Sequence, residues 1–241
     1  MPVTVPLDSA GNVSVVGPRD LDLQVVRALI AGAAALQSPE DLRIALVAPR
    51  EHRADWDWME LLPHLDDSSA KHPTGPVKLI APDADSLMDL LEEDLQYRSK
   101  VAGEHSKFGE DPGTGPAVLS RLIVVVDRYG QTATDLAFGD SHHSLQSRGI
   151  TVLHLCEDRL QEPSEVGYRI TVRDGASGPE HDARPRFLLE DRTRDQGTPD
   201  RTEGVLDPID VSTATGIVTE LAPLRLSLSS LEHTGAEAAS S

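Results

Sequence analysis

The sequence predicts a three-layer α/β fold with a mostly parallel central sheet, and two patterns support this prediction. The segment 121–127, RLIVVVD, is an apolar run with four β-branched residues that ends on a carboxylate, which is typical of a strand buried on both faces. The short apolar runs 13–16 and 42–48 flank a stretch with helical spacing of its apolar residues. A strand, a helix and a strand in this order form a right-handed crossover between parallel strands.

The first helix lies between these two runs. We expect it to begin near Arg19 or Asp20 and to end near Ser38, because proline at position 39 disfavours a helical conformation in the residue before it. Residues 1–12 contain two prolines and a glycine around short apolar stretches, so they are interpreted as an entry strand, or an edge piece, and a turn.

The elements after residue 48 are predicted from the same periodicities. In order, they are a short helix and then a loop at 49–76, a strand at 77–81, a helix at 83–101, a mobile loop at 102–116, the central strand at 121–127, a weak helix at 131–147 and a strand at 150–155. Trp56 and Trp58 in the first of these segments are interpreted as core or interface residues, with a partner-binding surface as the alternative.

The last part of the chain is predicted to be rich in β-structure. It has short strands at 168–172 and 187–189, loops at 173–186 and 190–208, a helix at 211–221 and a final strand through Leu224, Leu226 and Leu228. We expect one domain, residues 1–229, followed by a disordered tail or linker of small and polar residues, 230–241.

Charge is the most informative feature of the composition. The 241 residues include 40 acidic and 22 basic residues, which gives a formal net charge of -18. Because binding to nucleic acid depends on basic residues that neutralise phosphates, this balance argues against a nucleic-acid partner. No apolar run approaches the roughly 18 residues of a membrane span, so we expect no direct membrane insertion of this segment. The single cysteine, Cys156, fits a reducing compartment.

Metal and nucleophile patterns give no candidate catalytic residue. The histidines at 64, 72, 142, 143 and 154 lack metal-ligand spacing with cysteine or carboxylate partners, so we expect no metal site. Ser144 follows His143 directly, but adjacency in sequence does not place a base on a hydroxyl group.

Several segments carry a family resemblance through their order and spacing. They are residues 12–50, 56–67, 75–95, 121–127, 147–155 and 220–226. Together they resemble FtsK/SpoIIIE-type ATPases, and within that group the degenerate ATPase-like domain of EccC, the membrane-anchored motor of type VII secretion systems. The resemblance implies a P-loop NTPase-like (RecA/FtsK-like) fold, with the mostly parallel sheet and β-rich C-terminal part described above.

The resemblance also places a degenerate nucleotide site at Gly17, Pro18, Arg19, Asp20 and Asp127. A P-loop needs glycines whose backbone N–H groups surround the phosphates, a lysine for the β and γ phosphates, and a serine or threonine for magnesium. Counted from Gly17, those positions hold Asp22, Leu23 and Gln24. Arg128 stands where the family has a catalytic glutamate after the strand. Acidic side chains in the first turn are expected to oppose phosphate binding.

Each of the main site residues also has an interpretation without a ligand. Gly17 would form a tight strand-to-helix turn, and Arg19 would be a solvated residue at a helix start. Asp127 would cap a turn or pair with Arg128 or Arg121.

The resemblance implies a non-hydrolytic domain that couples the membrane anchor of a secretion motor to its active ATPase domains. The alternatives are a domain that binds ATP weakly or hydrolyses it, and an acidic protein-interaction module. Expected partners are neighbouring ATPase domains of the same chain and other secretion-system subunits, with hexameric assembly in the full complex. The expected cofactor is none, or ATP with magnesium bound weakly, and the expected location is the cytoplasmic side of the cell membrane.

Overall fold

The structure, a computed structural model, describes residues 3–6, 10–72, 75–108, 119–131, 136, 138, 143–175, 184–193 and 199–224. The predicted final strand beyond Leu224 and the predicted tail, residues 230–241, lie outside the described residues. Within the described ranges, every helix is either too short or too polar to cross a membrane.

Ten strands and three α-helices form the described part of the chain. The strands are β1 (Asn12–Val16), β2 (Leu42–Val47), β3 (Asp66–His72), β4 (Gly75–Lys78), β5 (Ile80–Ala81), β6 (Arg121–Val126), β7 (Ile150–Cys156), β8 (Tyr168–Arg173), β9 (Arg186–Asp191) and β10 (Asp200–Val205). The helices are α1 (Arg19–Leu36), α2 (Ala84–Phe108) and α3 (Val211–Leu221), with 3₁₀ helices at Arg50–Met59, Pro63–Leu65, Gln146–Arg148 and Arg159–Gln161.

Eight strands form one sheet in the order β10-β9-β8-β1-β7-β6-β2-β5. The strands from β8 to β5 are all parallel, whereas β8, β9 and β10 pair in antiparallel fashion. The predicted parallel sheet with a β-rich C-terminal part is therefore confirmed. Because β1, β7, β6 and β2 run in the same direction, their carboxyl ends lie at one edge, where open α/β sheets bind ligands.

Apolar layers cover both faces of this sheet. Alternate residues of β6 belong to different clusters: Ile123 and Val125 pack with α1 and α3, whereas Val124 and Val126 pack with α2. This alternation follows from the period of two in a strand. Each fully buried valine or isoleucine contributes about 1.5–3 kcal/mol, so the uninterrupted apolar run stabilises both layers at once. The three-layer prediction is confirmed.

Four sequence predictions are wrong for part of their length. The segment 49–76 contains the predicted short helix, but instead of a loop it continues into the hairpin strands β3 and β4. α2 continues to Phe108, into the first part of the predicted loop 102–116. In the predicted helix 131–147 the only described helical residues are the 3₁₀ turn Gln146–Arg148, and the rest of that range is either not helical or outside the described residues. β10 lies in the predicted loop 190–208.

The antiparallel strands β9 and β10, here called the extension, are joined to the parallel part of the sheet by a charged cluster around the buried Arg169 of β8. Its guanidinium donates to Glu162 and, at 3.0 Å, to Glu190 of β9. Ser14 of β1 donates to the same Glu162 at 2.5 Å. Arg201 of β10 completes the cluster with an ion pair to Glu190 at 2.9 Å. Side chains from four neighbouring strands therefore fix the register of the extension.

The two outer strands of the sheet are unlike the inner ones. β5 contributes only two residues, which pair with Leu46 and Val47 of β2. β10 carries exposed charged residues, among them Asp200, Arg201 and Glu203. Short and charged outer strands are typical of sheets that end in solvent.

Arg98 of α2 joins the helix to the amino ends of two central strands. Only 1% of its surface is exposed. Its guanidinium donates to the Asp94 carboxylate at 2.6 Å, to the Ser120 carbonyl at 2.6 Å and to the Arg148 carbonyl at 3.0 Å. Buried cations need such complete pairing. Arg98 therefore satisfies backbone carbonyls that would otherwise be buried without a donor.

Replacing Arg98 by methionine should lower the free energy of unfolding by about 2–5 kcal/mol, because the Ser120 and Arg148 carbonyls would lose their donor inside the protein, whereas Asp94 would keep its ion pair with Arg43. Denaturation with urea, followed by circular dichroism, measures this change. The exposed Lys100 on the same helix is the matched control, and Lys100→Met should change stability by less than about 0.5 kcal/mol. Equal stability of the two variants would contradict the assigned role.

Candidate functional site

The site begins at the turn between β1 and α1. Gly17 donates its backbone N–H to the Cys156 carbonyl at 3.2 Å, which continues the pairing of β1 with β7. A Cβ atom at this position would lie 2.7 Å from the Val172 carbonyl oxygen of β8, so only glycine fits here. Pro18 then serves as the N-cap residue of α1. The predicted strand-to-helix turn is thus observed, and the close approach of β8 explains the glycine.

An ion pair between Arg19 and Asp127 joins the start of α1 to the carboxyl end of β6. Arg19, the first residue of α1, donates Nη1 to Asp127 Oδ1 at 2.8 Å and Nη2 to Asp127 Oδ2 at 2.9 Å. The Asp127 carboxylate follows β6 and is fully buried, whereas the Arg19 side chain is 21% exposed. Two parallel N–H···O bonds of this kind give a strong and strictly oriented contact.

The 3₁₀ helix Arg50–Met59, here called the cap segment, supplies three more side chains to this pair. Trp56 donates its indole N–H to Asp127 Oδ2 at 2.8 Å. Asp55 accepts a 2.6 Å bond from Arg19 Nη2. His52 Nδ1 lies 3.2 Å from Asp127 Oδ1. The cap segment therefore covers the place where the carboxyl ends of β1 and β6 would face a ligand.

Tyr129 also contacts the Arg19 guanidinium. The ring centroid lies 5.5 Å from Arg19 Cζ, within the range of a cation–π contact. The Tyr129 hydroxyl group donates to the Gly17 carbonyl at 2.8 Å. Tyr129 therefore links the turn after β1 to the segment after β6, and it limits the orientations that Arg19 can adopt.

The charges of the pair stabilise each other. Burial acts to raise the pKa of Asp127, but hydrogen bonds from Arg19 and Trp56 outweigh it and hold the pKa below its usual value. The pKa of Arg19 is raised, mainly by its hydrogen bond to Asp127. Asp127 is consequently ionised at neutral pH, and each of its two oxygens already accepts a bond from Arg19.

Asp22 lies in the first turn of α1, close to the ion pair of Arg19 and Asp127. Its carboxyl group is fully buried, and neither oxygen has a hydrogen-bond partner among the described residues. Burial raises its pKa to about 8, although nearby Arg19 offsets part of the effect. Asp22 is therefore mostly protonated at neutral pH. Asp22 therefore adds less negative charge to the site at neutral pH than its place in the sequence indicates.

The structure brings together three of the five predicted site residues, Gly17, Arg19 and Asp127. Pro18 and Asp20 are in the same turn but are exposed. The interpretation that Asp127 pairs with Arg121 or Arg128 is wrong, because its ion pair is with Arg19. Arg19 therefore pairs with a carboxylate. The interpretation of Arg19 as a solvated residue at a helix start is wrong.

Sequence reasoning did not find the residues of the cap segment that complete the site, nor Tyr129. Trp56 is fully buried and Trp58 is 5% exposed, so the core interpretation is confirmed and a partner-binding surface made by these two residues is excluded. The bond from Trp56 to Asp127 joins residues 71 positions apart. The only sequence signal was the unusual occurrence of both tryptophans of the chain in one polar segment.

Comparison with proteins of known family gives related sequences but no matching family profile. The chain is 30% identical over 156 residues to the ESX-3 secretion system protein EccC3 of Mycobacterium tuberculosis, which covers 64% of this chain and 10% of the relative. It is 33% identical over 125 residues to EccC of Thermomonospora curvata, which covers 52% of this chain and 9% of the relative. The chain thus spans about a tenth of the length of these relatives.

Solved structures of the same group share the fold. ATPases 2 and 3 of EssC from Geobacillus thermodenitrificans match with a TM-score of 0.56 at 15% identity, over 91% of this chain and 45% of the other. EccC of Thermomonospora curvata, comprising ATPases 2 and 3 in complex with a signal sequence peptide, matches with a TM-score of 0.51 at 16% identity, over 89% of this chain and 42% of the other.

The mostly parallel sheet, with the turn at Gly17 and Asp127 at the end of β6, gives the chain the α/β fold of P-loop ATPase domains. The chain is homologous to a segment of EccC proteins, and the resemblance to EccC expected from the sequence is confirmed.

Replacing Asp22 by asparagine should stabilise the protein at pH 8 and have little effect near pH 4. Between the ordinary pKa of 3.8 and the folded-state pKa of about 8, the unfolded chain releases the Asp22 proton while the folded protein keeps it. Asp22 therefore lowers stability as pH rises through this window, by at most about 1.4 kcal/mol per pH unit, and asparagine does not titrate.

Urea denaturation of both proteins at a series of pH values measures the difference. Asp20→Asn, an exposed position in the same turn, is the control. The prediction fails if Asp22→Asn has the same advantage at pH 4 as at pH 8, or none at either.

Proposed function

We propose that this chain is a degenerate ATPase-like domain of a type VII secretion motor, which transmits conformational change and does not hydrolyse ATP. The observation that carries the proposal is the bidentate ion pair between Arg19 and Asp127, because it joins the only predicted phosphate-binding cation to the only predicted magnesium-associated carboxylate. Each group satisfies the other, so neither is available to a ligand in this arrangement.

The surrounding residues do not fit a magnesium–ATP complex. The lysine position of the P-loop holds Leu23, which is buried in the apolar core, and the serine or threonine position holds Gln24. The backbone N–H groups of Leu21 and Asp22 both donate to the Pro18 carbonyl, at 2.9 Å and 3.0 Å. Two backbone donors of the first turn are thus used within the helix.

The greater length of the related proteins supports a role in coupling. The related EccC proteins are about ten times longer than the matched segment, and the related solved structures contain two ATPase domains. We propose that this domain lies on the cytoplasmic side of the membrane and contacts neighbouring ATPase domains of its own chain. Assembly into a hexamer with other copies of the motor is part of the same proposal.

Titration of the purified chain with ATP and magnesium should give no turnover and a change in melting temperature of about one degree or less at millimolar nucleotide. A ligand that binds only the folded state must stabilise it, so the melting temperature reports binding directly. ATP turnover that is abolished by Asp127→Ala would overturn the proposal. Stabilisation without turnover would instead support a weak, non-hydrolytic nucleotide site.

The net charge of -18 favours a second candidate function, an acidic module that docks a basic surface of a neighbouring protein. Docking of this kind should weaken strongly as ionic strength rises, because salt screens exposed charges over about 10 Å at 0.1 M. Binding of neighbouring EccC domains, measured by calorimetry at low and high salt, distinguishes it from an interface held by apolar contacts.

A further inference from the structure

An arginine-rich surface lies on β8 and the extension, on the side of the sheet that α2 covers at its other end. The paired strands β8, β9 and β10 place nine residues on this side, of which four are arginine and two are glutamate. The four arginines, here called the arginine face, are Arg169, Arg173, Arg186 and Arg201. This surface is therefore positive in a chain whose formal net charge is -18.

Two of these arginines lie opposite each other without a counter-charge. Arg173 of β8 and Arg186 of β9 are direct partners in the antiparallel ladder, and both are exposed. Neither forms an ion pair with a described carboxylate. Like charges directly opposite on neighbouring strands destabilise a sheet. The fold thus contains an unfavourable contact here, which an anionic partner would relieve.

Four residues further along β8, the positive charges are only partly balanced. Glu190 accepts hydrogen bonds from Arg169 and Arg201, and it lies 3.5 Å from Arg159. The side chains of Arg159 and Arg201 nevertheless remain 52% and 57% exposed. A guanidinium carries five N–H donors, so one shared carboxylate cannot use the donors of both exposed arginines. Donors remain at this end of the arginine face for a second anionic group.

The outer surface of α2 has the opposite imbalance. Four exposed acidic residues at helical spacing, here called the acidic stripe, are Asp85, Asp89, Glu92 and Glu93. None of them forms an ion pair with a described basic residue, since the ion pairs of α2 are made by Asp94. Carboxylates four positions apart on a helix, as in this stripe, repel each other. The acidic stripe would therefore gain stability from a basic partner.

The two surfaces match in length but cannot meet within one molecule. From Asp85 to Glu93 the helix rises about 12 Å, and from Arg173 to Arg169 the strand extends about 13 Å. α2 packs on β2 and β5, whereas β9 is five strands away from β2 in the sheet, or about 24 Å. A copy of the acidic stripe that lies along the arginine face must therefore come from another molecule.

We propose that copies of this chain dock through these two surfaces, with the acidic stripe of one copy lying along the arginine face of the next. The docking pairs opposite charges, and the helix also covers Leu188, which is half-buried at the centre of the arginine face. This inference rests on the proposed function, since it names the surfaces through which copies of the motor assemble. A nucleic acid fits less well, because the rest of this acidic chain repels a polyanion.

Charge reversal on each surface tests the docking. One variant, Arg173→Glu with Arg186→Glu, makes the arginine face acidic. The other, Asp89→Lys with Glu93→Lys, makes the stripe basic. The unaltered chain should self-associate in sedimentation equilibrium at about 0.1 M salt. Each variant alone should raise the apparent dissociation constant at least about tenfold, because like charges then meet.

An equimolar mixture of the two variants should restore the association of the unaltered chain. The acidic version of the arginine face then meets the basic version of the stripe, and the two unaltered surfaces meet each other. Variants that had lost their fold would not recover on mixing. The mixture therefore separates loss of the contact from loss of structure.

Glu51→Lys with Asp57→Lys is the matched control, because both positions are exposed in the cap segment and the change in charge equals that of the stripe variant. General repulsion between acidic chains predicts that both lysine variants associate more strongly than the unaltered chain. The docking predicts instead that the stripe variant associates more weakly, while the control associates at least as well as the unaltered chain.

Three results would overturn the docking. They are an unaltered chain that stays monomeric at every concentration reached, a mixture that does not recover association, and a control that weakens as much as the stripe variant. Duplex DNA that binds the unaltered chain but not Arg173→Glu with Arg186→Glu would also overturn it, because the arginine face would then belong to a polyanion. ATP turnover by the unaltered chain would overturn the proposed function and leave these comparisons unaffected.

Discussion

The buried carboxylate of Asp127 imposes the constraint on which the site depends. A carboxylate at the end of a central strand is cut off from water, so it requires donors from the protein itself. Arg19 and Trp56 supply them, and each brings its own element: Arg19 fixes the start of α1, and Trp56 fixes the cap segment. Removing the negative charge would leave Arg19 with only the partly exposed Asp55 as an anionic partner.

The position of glycine at the turn and the protonation of Asp22 show how closely this edge of the sheet is packed. β8 approaches the turn so closely that a side chain at Gly17 would collide with the Val172 carbonyl. The same crowding excludes water from Asp22 and makes its neutral form the favoured one. A phosphate group needs space at this place, and the close approach of β8 to Gly17 and of the cap segment to Asp127 leaves little of it in the conformation described.

The fold could be predicted where one pattern determined an element. The unbroken apolar run of β6 and the helical spacing of α3 gave their positions directly, since burial on both faces of a strand leaves a continuous apolar run and burial on one face of a helix leaves a period of 3.6. β10, with the sequence DRTEGV, was missed because an outer strand has little apolar surface to reveal it. α2 was predicted too short because Gly103 and the polar residues after it favour a loop locally, whereas the helix continues.

The site could be predicted only as far as topology determines it. Parallel strands and the helix after β1 place Gly17, Arg19 and Asp127 at one edge whatever the side chains do. The partners within that edge depend on tertiary packing: Arg19 and Asp127 are 108 positions apart, and the cap segment reaches them from a third part of the chain. A 3₁₀ helix with polar composition carries no periodic signal that would place it there.

The two outer strands of the sheet also determine how copies of the domain can meet. β5 is too short to form a useful ladder with another chain, and the charges of β10 would have to be desolvated or paired by an incoming strand. Continuous sheets through several molecules, and the aggregation that accompanies them, are therefore disfavoured. Contacts with other domains would then form through helices, loops and the faces of sheets, where surfaces can separate and rejoin while each sheet stays intact.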